Sequence, residues 1–288
     1  MKIRRVVLYI IIVITITIFN FYLRPIKGNN LVTKEYQNSS AYINKLYMSD
    51  EYFKKELLDK KDYYIYEKII SASVNNESSV TINCNDDCQG KFMLAYDSIY
   101  LDHPELLSFR GIASFMVYED RITYHNYDNL SKLRSTLGAL RIEREMENIR
   151  KDTKKMNDKE KIIYVYDYVA SHNYDRMFTY MGTNQSAYSF FTKKTSVCAG
   201  FAKAAQIIFQ NIGINSYLVF SEDHMWNYVE YEGKYYIFDA TVGTSYYDKS
   251  HENYYDGLGE TTTGEITGKY EELYPKIEKK ALKLIFDI

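Results

Sequence analysis

TSVCAGFAKAAQIIFQNIG, residues 195–213, is the stretch on which the fold class turns. Small or apolar residues recur at Ala199, Ala202, Ala204, Ile207, Ile208 and Ile212 without a proline, and Gly213 follows as a stop. The stretch from Val197 to Asn211 therefore reads as a buried helix. Ser196 is its natural N-cap, which puts Cys198 at the second helical position. N–H groups without intrahelical partners and the positive end of the helix dipole favour an anion there. A thiol attacks only as thiolate, and a free cysteine with a pKa of about 8.5 is mostly protonated at neutral pH, so a reactive cysteine needs such help. The same N–H groups suit an oxyanion.

Downstream, HMWNYVEYEGKYYIFDAT, residues 224–241, reads as a β-hairpin. Both halves are rich in aromatic and β-branched residues, and Glu232 with Gly233 separates them. With those two residues as the loop, Tyr231 pairs with Lys234 and Trp226 falls opposite Asp239. His224 then falls opposite Thr241, a diagonal neighbour of Asp239 on one face, so imidazole and carboxylate meet. In such an arrangement the histidine takes the thiol proton and returns it to a leaving amine, while the carboxylate fixes the tautomer.

Four pieces extend the pattern: EKIIYVYDYVASHNYD, SAYSFFTKKTSVCAGFAKA, GINSYLVF and HMWNYVEYEGKYYIFDAT. From about Lys155 to Thr241 their order and spacing resemble the transglutaminase-like superfamily of papain-type thiol enzymes, in the form found in bacterial surface proteins. The resemblance implies that Cys198 is the nucleophile, His224 the general base and acid, and Asp239 the orienting carboxylate. It also puts Trp226 and Asn227 in the positions that follow the histidine, and Tyr188 in the upstream stretch of an oxyanion-side aromatic. The chain departs from the family in Thr195 and Ser196, where glycine is usual, and in Val242, where tryptophan is common.

Taken singly, these residues have blander readings. A cysteine opening an apolar helix is usually a small buried hydrophobe, and a strand histidine usually satisfies one hydrogen bond. It is the conjunction of helix, hairpin and resemblance that favours catalysis. The rivals are a thiol peptidase or amidase acting on cell-wall peptides and, outside enzymology, an envelope binding or scaffold module with a vestigial triad.

Composition bounds the rest. With 288 residues, 46% of them hydrophobic, the chain can build one or two globular domains. Lys and Arg total 36 against 38 for Asp and Glu, a net charge of −2 that gives no sign of a polyanion partner, and no nucleic-acid partner is expected. The 31 tyrosines identify no ligand, because Ile, Lys and Asn, whose codons are also A/T-rich, are abundant too.

Residues 6–23, VVLYIIIVITITIFNFYL, carry no charge and follow Lys2, Arg4 and Arg5. Eighteen helical residues span roughly 27 Å, about one hydrocarbon core. No small-residue cleavage site follows, so an uncleaved signal anchor is expected, with the N-terminus cytoplasmic and the catalytic part extracellular. That compartment suits a local disulfide between Cys84 and Cys88 in NCNDDCQG. A metal pair and two unpaired thiols compete; for metal, no second Cys pair exists and the five histidines are scattered. His103, in DHPELL, and His251 read as loop residues.

The expected architecture is α+β: a papain-like transglutaminase core, its nucleophile helix packed on an antiparallel sheet, behind a helical and β accessory region and one transmembrane helix. The divisions are 1–29 for tail and anchor, 30–150 for the accessory region, and 151–288 for the catalytic domain. The expected reaction is acyl transfer from a protein or peptide amide, cell-wall peptides among them, to water or an amine. It requires no cofactor and no metal.

Overall fold

The computed structural model describes residues 51–288 apart from 76, 85, 108–113, 126–131, 177–181, 247 and 262–267. The expected anchor at residues 6–23 lies outside them. Among the described residues no helix is long and apolar enough to cross a membrane. The described residues fall within one compact unit.

The chain opens with helices α1 (Tyr52–Leu57) and α2 (Tyr63–Asn75), strand β1 (Ser79–Asn83), helix α3 (Cys88–Asp102) and strands β2 (Phe115–Val117) and β3 (Arg121–His125). The three strands make an antiparallel sheet in the order β1-β3-β2. Cys84 and Cys88 are joined by a disulfide at the start of α3. Two long helices follow, α4 (Lys132–Thr153) and α5 (Asp158–Ala170). Helix α5 starts with a capping box in which Asn157 and Glu160 each accept from the other's backbone N–H, satisfying two orphan donors.

Strands β4 (Asn173–Tyr174) and β5 (Thr195–Ser196) pair in parallel around helix α6 (Ala187–Lys193), and β5 leads into the central helix α7 (Cys198–Ile212). The second sheet, β6 (Ser216–Phe220), β7 (Met225–Tyr231) and β8 (Lys234–Phe238), is antiparallel with β7 in the middle. Two short helices, α8 (Ala240–Gly243) and α9 (Leu282–Phe286), complete the order.

Helix α7 is apolar on nearly all sides, and Ala199 to Phe209 are buried without a break. Such a helix is held by packing rather than by propensity. Ala204, Ile207, Ile208 and Phe209 share a core with α4, α5, α6 and β8. Ala199 and Ala202 belong to a second core with Ile99, Tyr100 and Leu101 of α3 and with Leu218, Trp226 and Tyr228 of the sheet. Each fully buried large apolar side chain contributes about 1.5–3 kcal/mol, so these two cores fix the position of α7. They also tie α3 to the segment that carries the cysteine. The expected domain boundary after residue 150 falls inside α4, whose Ala139, Ile142, Met146 and Ile149 belong to the same core as α7.

Gly213 ends α7 in the left-handed conformation, φ 76°. Ser196 is not the N-cap. Its hydroxyl donates to the Asn184 carbonyl at 2.5 Å and lies 2.7 Å from Ser189 Oγ, while β5 holds its backbone extended. Val197 takes the cap position, and Cys198 is the first helical residue rather than the second. Gly200 allows this crowding: a Cβ there would meet Ser196 Oγ at 1.8 Å.

The hairpin between β7 and β8 pairs Tyr231 with Lys234, and the register runs on to Asn227 opposite Phe238 without a bulge. Both loop residues have positive φ, 51° at Glu232 and 75° at Gly233, which makes a type I′ turn. Glutamate is a poor residue for the left-handed region, whereas asparagine tolerates it. Glu232→Asn should therefore stabilise the protein by about 0.5–1 kcal/mol, measured as a higher urea midpoint at constant m. A lower midpoint would show that Glu232 has a compensating role.

Candidate active site

The two sheet ends and the start of α7 bring the three candidate residues together. Cys198 is partly exposed at the first position of α7. His224 lies just before β7 and Asp239 just after β8, at the end of the sheet away from the Glu232–Gly233 turn. His224 Nε2 is 2.7 Å from Asp239 Oδ2, with both side chains almost fully buried. His224 also hydrogen-bonds the Cys198 side chain, which leaves Nδ1 as the nitrogen toward sulfur.

Burial opposes charge on His224. The hydrogen bonds to Asp239 and then Cys198, with the negative charge of both, outweigh it and raise the imidazole pKa to about 10. The proton on His224 is thus retained through neutral pH. Asp239 is firmly held, since its Oδ1 accepts from Thr241 N at 3.0 Å and Thr241 Oγ1 at 2.5 Å. Its backbone N–H donates to the Gly257 carbonyl at 2.7 Å, and a Cβ on Gly257 would meet Asp239 O at 1.9 Å. The loop at Gly257 thus packs directly against Asp239.

Trp226 is buried and stacks on His224, ring centroids 5.8 Å apart at 17°. It covers one face of the imidazole and restricts its rotation. Trp226 Nε1 has no hydrogen-bond partner among the described residues. Asn227, 1% exposed, is held by the body of the protein. Its Nδ2 donates to Ala202 O at 3.1 Å and Gln206 Oε1 at 3.3 Å, bolting β7 to α7. Asn227→Ala should cost about 2–3 kcal/mol of stability, because Gln206 Oε1 and Ala202 O lose a buried donor. Denaturant unfolding checks this, and an unchanged midpoint would return Asn227 to the substrate side.

The ring of Tyr188 packs toward Gly138 of α4, where a Cβ would meet it at 2.5 Å. The phenol at the nucleophile is that of Tyr174 on β4. Cys198 N donates to Tyr174 Oη at 3.4 Å, and the hydroxyl also hydrogen-bonds the Cys198 side chain. Burial, followed by the Cys198 charge, raises the Tyr174 pKa, so the phenol keeps its proton. The first orphan N–H of α7 is therefore met by a tyrosine from the neighbouring strand pair instead of a capping side chain. The tyrosine stands in the SHNYD stretch that carries part of the resemblance, but pairing of Asn173–Tyr174 with Thr195–Ser196 is a tertiary fact without local periodicity.

Two other histidines are placed by packing. His103 Nε2 lies 2.7 Å from Tyr66 Oη and Nδ1 lies 2.6 Å from Glu105 Oε1, all buried. His251 stacks on Tyr246 at 4.2 Å and accepts from Asn253 N.

Residues 147–240 match the family described as the transglutaminase-like superfamily. The matched span contains Cys198, His224 and Asp239. Among solved structures, a crystal structure of a TGase is 15% identical with a TM-score of 0.33, covering 57% of this chain and 50% of its own. A second, from Cytophaga hutchinsonii and provisionally described as a cysteine protease, is 14% identical with a TM-score of 0.29, covering 45% of this chain and 61% of its own. No curated protein matches the chain.

Proposed function

We propose that this chain is a thiol acyltransferase or amidase that acts on protein or peptide amides through Cys198, His224 and Asp239. The observation that carries this reading is the buried His224–Asp239 pair at 2.7 Å with Cys198 hydrogen-bonded to the same imidazole. Cys198 Sγ attacks the amide carbon, and the carbonyl π pair moves to oxygen. Cys198 N–H and Tyr174 O–H are the donors at hand for that oxyanion. The C–N bond then breaks, the His224 proton goes to the departing nitrogen, and a thioester remains on Cys198. Water or an amine attacks the thioester, gives its proton to His224, and frees the thiolate.

The substrates are expected at the cell surface. Residues 6–23 would anchor the chain, and the largely polar stretch GNNLVTKEYQNSS, residues 28–40, would tether the enzyme within reach of envelope proteins and wall peptides. Protease added to intact cells should remove the C-terminal part and leave the anchor; protection until the membrane is broken would reverse the orientation. The reaction itself is tested by incubating the full chain with surface proteins and wall fragments plus a labelled primary amine. Labelled products mean transfer, and unlabelled products that carry a new free carboxyl group mean hydrolysis. If Cys198→Ala gives the same products as the wild type, the thiol mechanism is wrong.

A further inference from the structure

The thiol chemistry uses only the N-terminal end of α7. At the other end lies a cavity of about 320 Å³, with α1 and α3 on one side and the end of α7 and start of β6 on the other. Cys198 and Gly213 bound the helix, and at ~1.5 Å per residue they are roughly 22 Å apart along its axis. The cavity is therefore separate from the catalytic residues. Its floor, Phe53, Leu101 and Leu218, is buried, while Gly213 and Asn215 at the rim are exposed, so it opens to solvent. Its volume falls in the ~300–1,000 Å³ range of small-molecule sites and has room for about ten waters at ~30 Å³ each.

The lining selects among ligand classes. No lysine or arginine lines the cavity, and its one charged residue, Asp102, is engaged with the backbone. The two Asp102 oxygens accept from Phe53 N at 3.0 Å and Lys54 N at 2.9 Å, which caps the start of α1. An anion would find no counter-charge here, and an ammonium ion no uncommitted carboxylate. The polar groups with spare capacity are neutral. The Gln210 side chain makes no hydrogen bond among the described residues, and its Oε1 is buried without a partner. Its last torsion is soft and two-fold, so the amide can turn and present either its oxygen or its NH₂ to the cavity. Asn215 Nδ2 donates to Glu230 Oε2 at 2.7 Å, which orients the amide and leaves Oδ1 as an acceptor. Tyr52 and Tyr217 supply an aromatic wall, their centroids 5.2 Å apart at 54°. The Tyr52 hydroxyl donates to Leu273 O at 2.5 Å, which fixes its ring.

A ring that bears several hydroxyls matches all of these features. Each hydroxyl donates and accepts, as the Gln210 amide does, and the C–H face of a pyranose is apolar and broad, as a tyrosine ring is. We propose that this cavity is a carbohydrate site, binding a neutral pyranose with its C–H face toward Tyr52 and Tyr217 and its hydroxyls on the Gln210 amide and Asn215 Oδ1. The proposal goes beyond the thiol reaction and does not rest on the triad reading; failure of the labelled-amine assay leaves it standing. Helices α1 and α3, which precede the family segment, complete the walls, whereas α7 and β6 lie within it. A wall fragment that carries both sugar and peptide would thus be held at one end of α7 while Cys198 meets the amide at the other.

The test is saturation-transfer difference NMR on the full chain in a detergent without a sugar headgroup. The probes, at millimolar concentration, are glucose, the β-1,4-linked trimer of N-acetylglucosamine, and n-butylammonium chloride. Transfer to the sugar ring C–H protons is expected. Gln210→Leu, which removes the amide at nearly constant size, should weaken sugar binding about tenfold, the effect of one hydrogen bond. Asn215→Trp, which fills the mouth, should abolish it, and Cys198→Ala should bind sugar as the wild type does. Transfer to neither sugar overturns the proposal, and transfer to the cation alone would make the cavity an amine site instead. Sugar binding that survives both cavity substitutions, or that is lost in Cys198→Ala, puts the sugar elsewhere and also overturns it. If Gln210→Leu does not fold, Asn215→Trp decides alone, because residue 215 is exposed.

Discussion

Asp239→Asn should slow acylation of Cys198 by a peptide amide by about 10³- to 10⁴-fold while leaving the fold intact, the scale known for triad carboxylates. The cause is a change of tautomer. Asp239 Oδ2 accepts from His224 Nε2–H at 2.7 Å, so Nδ1 is free to take a proton from sulfur. An asparagine amide can turn its NH₂ to Nε2, which stabilises the imidazole with the proton on Nδ1, the wrong side for accepting one from Cys198. It also removes the charge that helps raise the His224 pKa. Thr241 N and Thr241 Oγ1 can still bond the carbonyl oxygen of the substituted side chain, so the turn into α8 keeps its cap. Pre-steady-state release of the amine product measures the effect, with near-UV circular dichroism as the check on folding. Unchanged release would reduce Asp239 to a helix cap at the end of β8.

The parts of this site that are legible in the sequence are those set by local rules. The alternation of aromatic and branched residues on either side of Glu232–Gly233 fixes the hairpin register, and that register alone carries His224 and Asp239 to one end of the sheet. The apolar run after Cys198 fixes α7, and Asn157 with Glu160 fixes the start of α5. Local rules fail where tertiary contacts compete with them. Ser196 satisfies every local rule for an N-cap, but its hydroxyl is worth more in a fully buried pair with Ser189 and Asn184 O, and β5 extends its backbone away from the helix. Tyr188 lies on α6, in a stretch with several aromatic residues, and its ring lies toward α4. Tyr174 stands 24 positions from Cys198 and reaches it only because the pairing of β4 with β5 brings a distant segment to the start of α7. No periodicity encodes such a meeting.

Cys198 should alkylate about 10- to 100-fold faster than a denatured-chain thiol at pH 5.5, and its two kinds of chemistry should respond oppositely to alkali. A free thiol near pKa 8.5 is thiolate in only about one part in a thousand at that pH, and the lower intrinsic nucleophilicity of an acidic thiolate returns part of the gain. The His224 proton supplies the difference. With the imidazole pKa raised to about 10, its charge is present at pH 5.5 and persists to the alkaline side of neutrality. A folded-state value above the unfolded 6.5 stabilises the native state fully below pH 6.5, and that contribution fades as pH climbs toward 10. Alkylation needs only thiolate, so its rate should hold or rise beyond pH 10. Amide acylation also needs a proton for the leaving nitrogen, so its rate should fall there. His224→Gln should abolish the advantage at pH 5.5 and remove the alkaline fall together. An advantage that survives this substitution would assign thiolate stabilisation to the helix start and Tyr174 alone, and would deny His224 its place as the proton carrier.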